Sequence, residues 1–359
     1  MREGRGTSPA TLADVAERAG VSRQTVSNAL NNPDLLRGDT LDRVRRAIRE
    51  LGYTPNRAAR NLRTRTSSLI GMRMTPSQEG TANAAMDRFF RSLVRASEDA
   101  GYHLLLFPGD DLDPVAGYAN LLRSTAVDAF VVTDTYLGNP QEQWLTRHGA
   151  PFVAFGRPWG EPQAAHPWVD VDGAAGTRLA TEHLIARGHE RIAWVGWQRT
   201  QPIGEDRRSG WAEAMHQRAL STAGLAARVE DSVHAGAAAA ASMLDASVRP
   251  TAFVCASDTL AMGVLHTLWI RHLAPGRDVA VVGFDDSQVA QVYPVGVTSV
   301  RQPLEEAAVE VVRLLRDLLT PLSAPEHTAP EHTAPEHTDG PGRSRHVLLT
   351  PSLAVRASS

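Results

Sequence analysis

The chain has 359 residues, of which 42% are hydrophobic and 21% are charged. This length and composition predict two or three folded domains and exclude a largely disordered chain. The single cysteine, Cys255, excludes an intramolecular disulfide, and no apolar run is long enough to cross a membrane, so a cytoplasmic protein is expected.

The charge is distributed unevenly along the chain. Residues 1–66 contain thirteen arginines and seven acidic residues, a net charge of +6, whereas the whole chain carries −3. A basic N-terminal segment on an acidic body is the asymmetry expected of a protein that contacts nucleic-acid phosphates at one end.

Three short helices are predicted after a disordered arm, residues 1–10. Thr11 is the expected N-cap of the first helix, with Asp14 completing a capping box, and Gly20 ends that helix. Ser22 caps the second helix, and a third follows Thr40. Apolar residues recur at helical spacing in all three: Leu12, Val15, Ala16 and Ala19, then Val26, Ala29 and Leu30, then Leu41, Val44, Ala47, Ile48 and Leu51. Residues 11–53 therefore predict a helix-turn-helix domain.

The second helix is unusual because its predicted exposed face is polar. Arg23, Gln24, Ser27 and Asn28 cover little apolar surface but carry hydrogen-bonding groups on short or forked ends. The next segment, residues 54–68, is rich in arginine and too short for a stable isolated helix. It is expected to fold only on a partner, continuing into a flexible connection.

From Leu69 onward, short apolar runs alternate with helical stretches. The runs are LIGMRM, HLLLFP, AFVVTD, PFVAFG, RIAWVG, TAFVCAS and DVAVVGF. This alternation predicts parallel sheets covered on both faces, arranged as two similar α/β lobes within residues 69–359. A threefold APEHT repeat lies within residues 324–342, and it predicts an exposed loop; metal binding by its histidines is the less favoured alternative.

At this level of detail the sequence resembles a known family. TLADVAERAGVSRQTVSNALN and GYTPNRAARNLRT resemble the head and hinge of LacI-type (lactose-repressor-like) transcription regulators, and VDVDGAAGTRLATEHLIARGHERIAWVG and DVAVVGFDD resemble their body. The resemblance extends from about Thr11 to Arg356. It implies an α/β fold with a three-helix head, a hinge helix over residues 54–68, and a two-lobed core like that of periplasmic binding proteins.

The resemblance also implies how the head and hinge bind DNA. The second helix would lie in the major groove, where Arg23, Gln24 and Asn28 contact base edges while Ser22, Thr25 and Ser27 contact phosphates; Thr11 is a further candidate. In the hinge, Leu62 would wedge between base pairs in the minor groove, with Asn56, Arg57 and Ala59 beside it and Arg60 at a phosphate. An ordinary linker is the alternative for this segment. Because one head contacts one half-site, a homodimer on a palindromic operator is expected.

A small-molecule effector, expected to be a sugar, would bind between the lobes. The resemblance assigns Asp285, Arg207, Ser257 and Asp258 to this cleft, although Asp258 could instead cap the following helix. Arg157 and three aromatic residues are further candidates, each of which could equally serve packing: Trp159, Trp197 and Phe89. The histidines His166, His183 and His189 are interpreted as structural.

The sequence therefore predicts a transcriptional repressor that releases DNA when the effector binds, with no cofactor, metal or membrane. An activator or a co-repressor-dependent regulator of the same fold is the alternative. Enzymatic activity is disfavoured because the chain has no Walker loop, nucleophile elbow, HExxH or CxxC motif. A solute-binding protein without DNA function would share the body but lack the head.

Overall fold

The computed structural model describes residues 10–53, 66–74, 84–110, 112–199, 201–320 and 345–359. The chain divides into two compact units, residues 1–67 and residues 68–359. Within the described ranges, no helix is long and apolar enough to cross a membrane.

The first unit contains three helices, α1 (Leu12–Ala19), α2 (Arg23–Asn31) and α3 (Gly38–Leu51), with a 3-10 turn at Pro33–Leu35. The predicted capping box is confirmed, because the Thr11 and Asp14 side chains each accept a hydrogen bond from the other's backbone amide. Gly20 ends α1 with a φ of 64°, in the left-handed region that glycine adopts without steric cost. The predicted Ser22 cap of α2 is also confirmed.

The helices enclose a small apolar core. Its buried members are Val15, Ala16, Ala19, Val26, Val44, Ala47 and Tyr53. Two details of the third helix differ from the sequence prediction. The helix begins at Gly38, which places Thr40 inside it, and Leu51 is 36% exposed because it lies at the end of the helix.

The second unit contains two six-stranded sheets, each the centre of one lobe. In the first lobe the strands are β1 (Leu69–Met74), β2 (His103–Pro108), β3 (Ala129–Val132), β4 (Phe152–Phe155), β5 (Trp168–Val171) and β11 (His346–Leu349). Their order is β11-β5-β4-β3-β1-β2, and all neighbours are parallel. The helices of this lobe are α4 (Ala84–Asp99), α5 (Ala116–Arg123), α6 (Pro140–Arg147) and α12 (Leu304–Leu319).

The second lobe repeats this architecture. Its strands are β6 (Ile192–Gly196), β7 (Ala226–Arg228), β8 (Ala252–Cys255), β9 (Ala280–Phe284), β10 (Thr298–Arg301) and β12 (Ser352–Ala354). The order is β12-β10-β9-β8-β6-β7, parallel except for the pair formed by β10 and β12. The helices of this lobe are α7 (Gly173–Ala186), α8 (Pro202–Gln217), α9 (Val233–Asp245), α10 (Asp258–Ile270) and α11 (Gln288–Val292).

The predicted three-helix head and two-lobed α/β core are confirmed, and each of the seven apolar runs contains a strand. The predicted hinge helix falls mostly on residues 54–65, which lie outside the described residues. The five strands outside those runs lie at or next to a sheet edge. Their apolar signal is weaker because most of them are only partly buried, and because the buried part of β10 includes Thr298 and Ser299. The chain passes between the lobes three times, after β5, after β10 and after β11. These crossings bring loops from both sheets to one cleft.

Candidate functional site

Helix α2 presents the polar face predicted from the sequence. Arg23 and Gln24 are exposed, and Ser27 and Asn28 are partly exposed. The Gln24 amide nitrogen donates a hydrogen bond to Asn28 Oδ1 at 3.0 Å. This bond uses neither the Gln24 carbonyl oxygen nor the Asn28 amide nitrogen, so the pair can offer an acceptor and a donor to the edge of a base.

The remaining predicted DNA contacts of the head have roles in helix capping. Ser22 Oγ accepts a hydrogen bond from the Thr25 amide at 3.1 Å, and the hydroxyls of these two residues are 2.9 Å apart. The Thr11 amide and hydroxyl both donate to Asp14 Oδ2, at 2.7 and 2.8 Å. The predicted hinge residues Asn56, Arg57, Ala59, Arg60 and Leu62 lie outside the described residues, as does the APEHT insert.

The second unit contains a cavity of about 150 Å³ between its lobes. Five of the predicted effector residues line it: Arg157, Trp159, Trp197, Arg207 and Asp285. The other charged, amide or hydroxyl residues that line the cavity were not predicted: Asp134, Thr135, Asp170, Asp206, Asp231 and Gln302. Four of them follow the carboxyl ends of strands, whereas Asp170 lies in β5 and Asp206 lies on α8. Ligands bind beyond the carboxyl ends of strands in parallel sheets, and this rule could have identified Asp134, which ends the predicted run AFVVTD. Asp170 lies in a strand that was not predicted from the sequence.

Arg207 is the most buried charged residue of the cavity. It lies on α8 and is 7% exposed, with its guanidinium carbon 3.6 Å from the ring centroid of Phe284 and 5.0 Å from that of Trp197. Its Nη1 donates to the Ala256 carbonyl at 2.6 Å and lies 3.7 Å from Asp285 Oδ1. The Nε has no hydrogen-bond partner among the described residues. Burial lowers the pKa of Arg207.

Asp285 follows β9 with a φ of 105°, a conformation uncommon for a residue with a side chain. Its Oδ1 accepts a hydrogen bond from Gln302 Nε2 at 2.6 Å. Burial raises the pKa of Asp285 to about 7, although the positive charge of Arg207 opposes this shift. The carboxyl group is thus held against a buried cation at the wall of the cavity.

Arg157 is the corresponding cation of the first lobe. Its Nε donates to Asp170 Oδ2 at 2.6 Å and its Nη2 to Asp206 Oδ2 at 3.2 Å. The guanidinium carbon lies 4.7 Å from the ring centroid of Trp159. Burial raises the pKa of both Asp170 and Asp206, against the effect of Arg157. Each lobe therefore contributes an arginine that stacks on a tryptophan and pairs with aspartate.

Three predicted effector residues do not line the cavity. Phe89 is fully buried in the first lobe and stacks on Phe155 at a centroid distance of 3.8 Å, because it lies on the face of α4 that packs on the sheet. Asp258 is 3% exposed, and its carboxylate accepts hydrogen bonds from the Ser287 amide and from Ser299 Oγ, each at 2.7 Å. Asp258 is thus turned into the protein, where it anchors the loop after β9.

Ser257 acts on the cavity only through another residue. Asp258 was predicted from the sequence as an alternative cap of the following helix, but the N-cap of α10 is Ser257, whose hydroxyl accepts a hydrogen bond from the Leu260 amide. The same hydroxyl donates to Asp231 Oδ1 at 2.5 Å, and Asp231 lines the cavity. Ser257 is therefore a positioning residue for that carboxylate.

The three histidines have contacts of the structural kind predicted. His183 Nε2 lies 2.9 Å from Ser359 Oγ, and His189 Nδ1 lies 3.0 Å from Thr251 Oγ1. His166 packs against Phe152, and burial lowers its pKa to about 4.

Comparison with known proteins links both units to one family. Residues 11–56 match the family model of bacterial regulatory proteins of the lacI family, and residues 181–359 match that of a periplasmic binding protein-like domain. The HTH-type transcriptional regulator CelR of Thermobifida fusca is 34% identical over 318 residues, which cover 86% of this chain and 92% of that protein.

Two solved structures extend the likeness over the whole chain. A complex of the transcriptional regulator CelR with cellobiose is 30% identical, with a TM-score of 0.69, and covers 98% of this chain and 100% of that chain. A lac repressor dimer bound to operator and the anti-inducer ONPF is 25% identical, with a TM-score of 0.72. The match covers 98% of this chain and 99% of that chain. From the head, the two-lobed core and these relatives, we conclude that the chain belongs to the LacI family of DNA-binding transcription regulators.

Proposed function

We propose that this regulator is a repressor that binds a palindromic operator as a homodimer and is released when a sugar binds in the cavity between the lobes. The relatives support both halves of the proposal. One solved relative is a dimer bound to operator, and another is a complex with cellobiose.

The operator half of the proposal rests on α2. Arg23 can form a bidentate contact with guanine, and the amides of Gln24 and Asn28 suit the edge of adenine. The net charge of +6 over residues 1–66 favours phosphate contacts, so affinity is expected to fall steeply with salt concentration. For Leu62 and its neighbours, the proposed minor-groove contact rests on the sequence resemblance alone.

The proposal that the effector is a sugar rests on one observation: the cavity holds both hydrogen-bond donors and acceptors that sugar hydroxyls can satisfy. Four buried polar atoms that belong to cavity residues have no hydrogen-bond partner in the described part of the chain: Thr135 Oγ1, Trp159 Nε1, Trp197 Nε1 and Arg207 Nε. The aspartates beside them are acceptors. Sugar hydroxyls both donate and accept, so they can satisfy both sets, while the indole rings can cover the apolar face of a sugar ring.

The proposed regulation is a shift between two arrangements of the lobes. A sugar favours the arrangement in which residues of both lobes contact it, and its leverage is limited by its differential affinity for the two arrangements. We propose that this arrangement has the lower affinity for operator.

The test is fluorescence anisotropy of the full chain with the DNA upstream of its own gene, and with scrambled DNA as control. We expect specific binding that weakens when an effector sugar is added. A double variant, Arg207→Ala with Asp285→Ala, should still bind the operator but should no longer respond to the sugar. Equal affinity for operator and scrambled DNA would contradict the DNA half, and an unchanged sugar response in the double variant would contradict the cavity assignment.

A further inference from the structure

We infer that the cavity selects an uncharged sugar and excludes phosphorylated and acidic sugars. The inference rests on the proposed function, because it names the chemical class of the effector at the same site. It follows from how the charges around the cavity are already paired.

Negative charge predominates among the described residues that line the cavity. Five of them are aspartates, whereas the cationic ones are Arg157 and Arg207. An anionic effector would therefore enter a site that already carries an excess of negative charge. One uncompensated like charge at about 5 Å weakens binding on the order of 100-fold at the effective dielectric constant of protein sites.

Both arginines already have carboxylate partners. Arg157 lies between Asp170 and Asp206, at 2.6 and 3.2 Å. Arg207 lies 3.7 Å from Asp285, and aromatic rings approach its guanidinium at Phe284 and Trp197. A phosphate or carboxylate would have to displace one of these aspartates, which would leave a buried carboxylate without its partner.

The helix N-terminus beside the cavity is occupied as well. Such ends bind phosphate because their backbone amides have no partner within the helix. Helix α7 begins at Gly173, which lines the cavity. The Ala174 amide, however, donates to Asp206 Oδ2 at 3.1 Å, and the Ala175 amide donates to Asp172 Oδ1 at 2.8 Å. The protein's own carboxylates thus occupy the place of an anion.

The polar groups of the cavity that remain available to an effector can form hydrogen bonds with hydroxyl groups. Thr135 and Arg207 are more than nine-tenths buried, and each has an unpartnered polar atom among the described residues that line the cavity. A hydroxyl oxygen can accept from Arg207 Nε while its proton is donated to an aspartate. This requires no additional charge in the cavity.

The experiment is isothermal titration calorimetry of the full chain with matched probes. The neutral probes are glucose, galactose, mannose and cellobiose, and the anionic probes are the 6-phosphates of the three hexoses together with glucuronate and galacturonate. We expect at least one neutral sugar to bind, with every anionic probe binding at least about 100-fold more weakly than that sugar. An anionic probe that binds as tightly as its neutral parent, or more tightly, would overturn the inference while leaving a sugar-responsive regulator in place. If no probe binds, the proposed sugar response and the inference both fail.

A variant tests whether the aspartates cause the discrimination. Asp206→Asn removes one charge near the Ala174 amide and Arg157, whereas Asp245→Asn removes one from an exposed pair with Arg271. We expect Asp206→Asn to reduce the ratio of neutral to anionic affinity at least 10-fold and Asp245→Asn to leave it unchanged. Equal ratios in both variants would overturn the assignment of selectivity to the carboxylates.

Discussion

Arg157 and Asp206 form an ion pair between the two lobes of the second unit, with 3.2 Å between Nη2 and Oδ2. Arg157 follows β4 of the first lobe, whereas Asp206 belongs to α8 of the second. The same guanidinium binds Asp170 of its own lobe at 2.6 Å. One planar side chain thus connects the lobes at the wall of the cavity, and its geometry depends on how the lobes are arranged.

We expect Arg157→Lys to lower the free energy of unfolding by about 1–3 kcal/mol, since an ammonium group cannot reproduce two directed contacts from one plane. Urea denaturation measures this. The matched control is Arg313→Lys, because Arg313 also contacts two carboxylates, Glu310 and Asp317, but both lie on its own helix α12. An equal loss of unfolding free energy in the two variants would show that the ion pair between the lobes contributes no more to stability than one within a single helix.

We expect Gln24→Ala to weaken operator binding roughly 10- to 100-fold, because it removes the exposed amide that we propose contacts a base edge and that donates a hydrogen bond to Asn28. Anisotropy with operator DNA measures the loss. Gln217→Ala, an exposed glutamine at the end of α8, is the control and should bind normally. Unchanged affinity in both variants would show that Gln24 does not contact a base.

Glu142 of α6 predicts a pH dependence of stability. Burial, and then the nearby Glu161, raise the pKa of Glu142 to about 7, and its Oε1 has no partner among the described residues. The folded state therefore binds more protons than the unfolded state between about pH 4.5 and 7, so stability falls as the pH rises through this range.

Glu142→Gln should remove that dependence. We expect the variant to have the higher melting temperature at pH 8, corresponding to about 1–3 kcal/mol, and to converge with the unmodified protein near pH 5. Thermal unfolding monitored by circular dichroism at both pH values tests this. A difference of the same size at pH 5 and pH 8 would contradict ionisation as its cause.

The packing of α7 on α8 predicts a steric effect at Gly210. A Cβ atom there would lie 1.9 Å from the Ala174 carbonyl oxygen, a backbone atom that cannot rotate away. Gly210→Ala should therefore lower the free energy of unfolding by about 2–4 kcal/mol, against the usual gain from alanine in a helix. Gly38→Ala, where no atom lies within 4 Å of the new Cβ, is the control. Equal stability of the two variants would show that the helices can separate at little cost.

Interactions between residues close in the chain were predictable from the sequence. The Thr11–Asp14 capping box, the glycine that ends α1 and the Ser22 cap depend on residues within a few positions of each other. The buried strands were also visible, because a strand covered on both faces must be apolar along its length. The family itself followed from the length and order of the matching motifs.

The membership of the cavity was decided only by the tertiary structure. Asp134, Asp170, Asp206 and Asp231 come from four separate segments, and the order of the strands and the three crossings between the lobes bring them together. The burial of Phe89 against Phe155 was likewise not predictable from the sequence, since helical spacing alone does not tell which face of α4 packs on the sheet. Local hydrogen bonds and hydrophobic periodicity are properties of neighbouring residues, whereas the pairing of Arg157 with Asp206 exists only once long-range packing has placed the two lobes side by side.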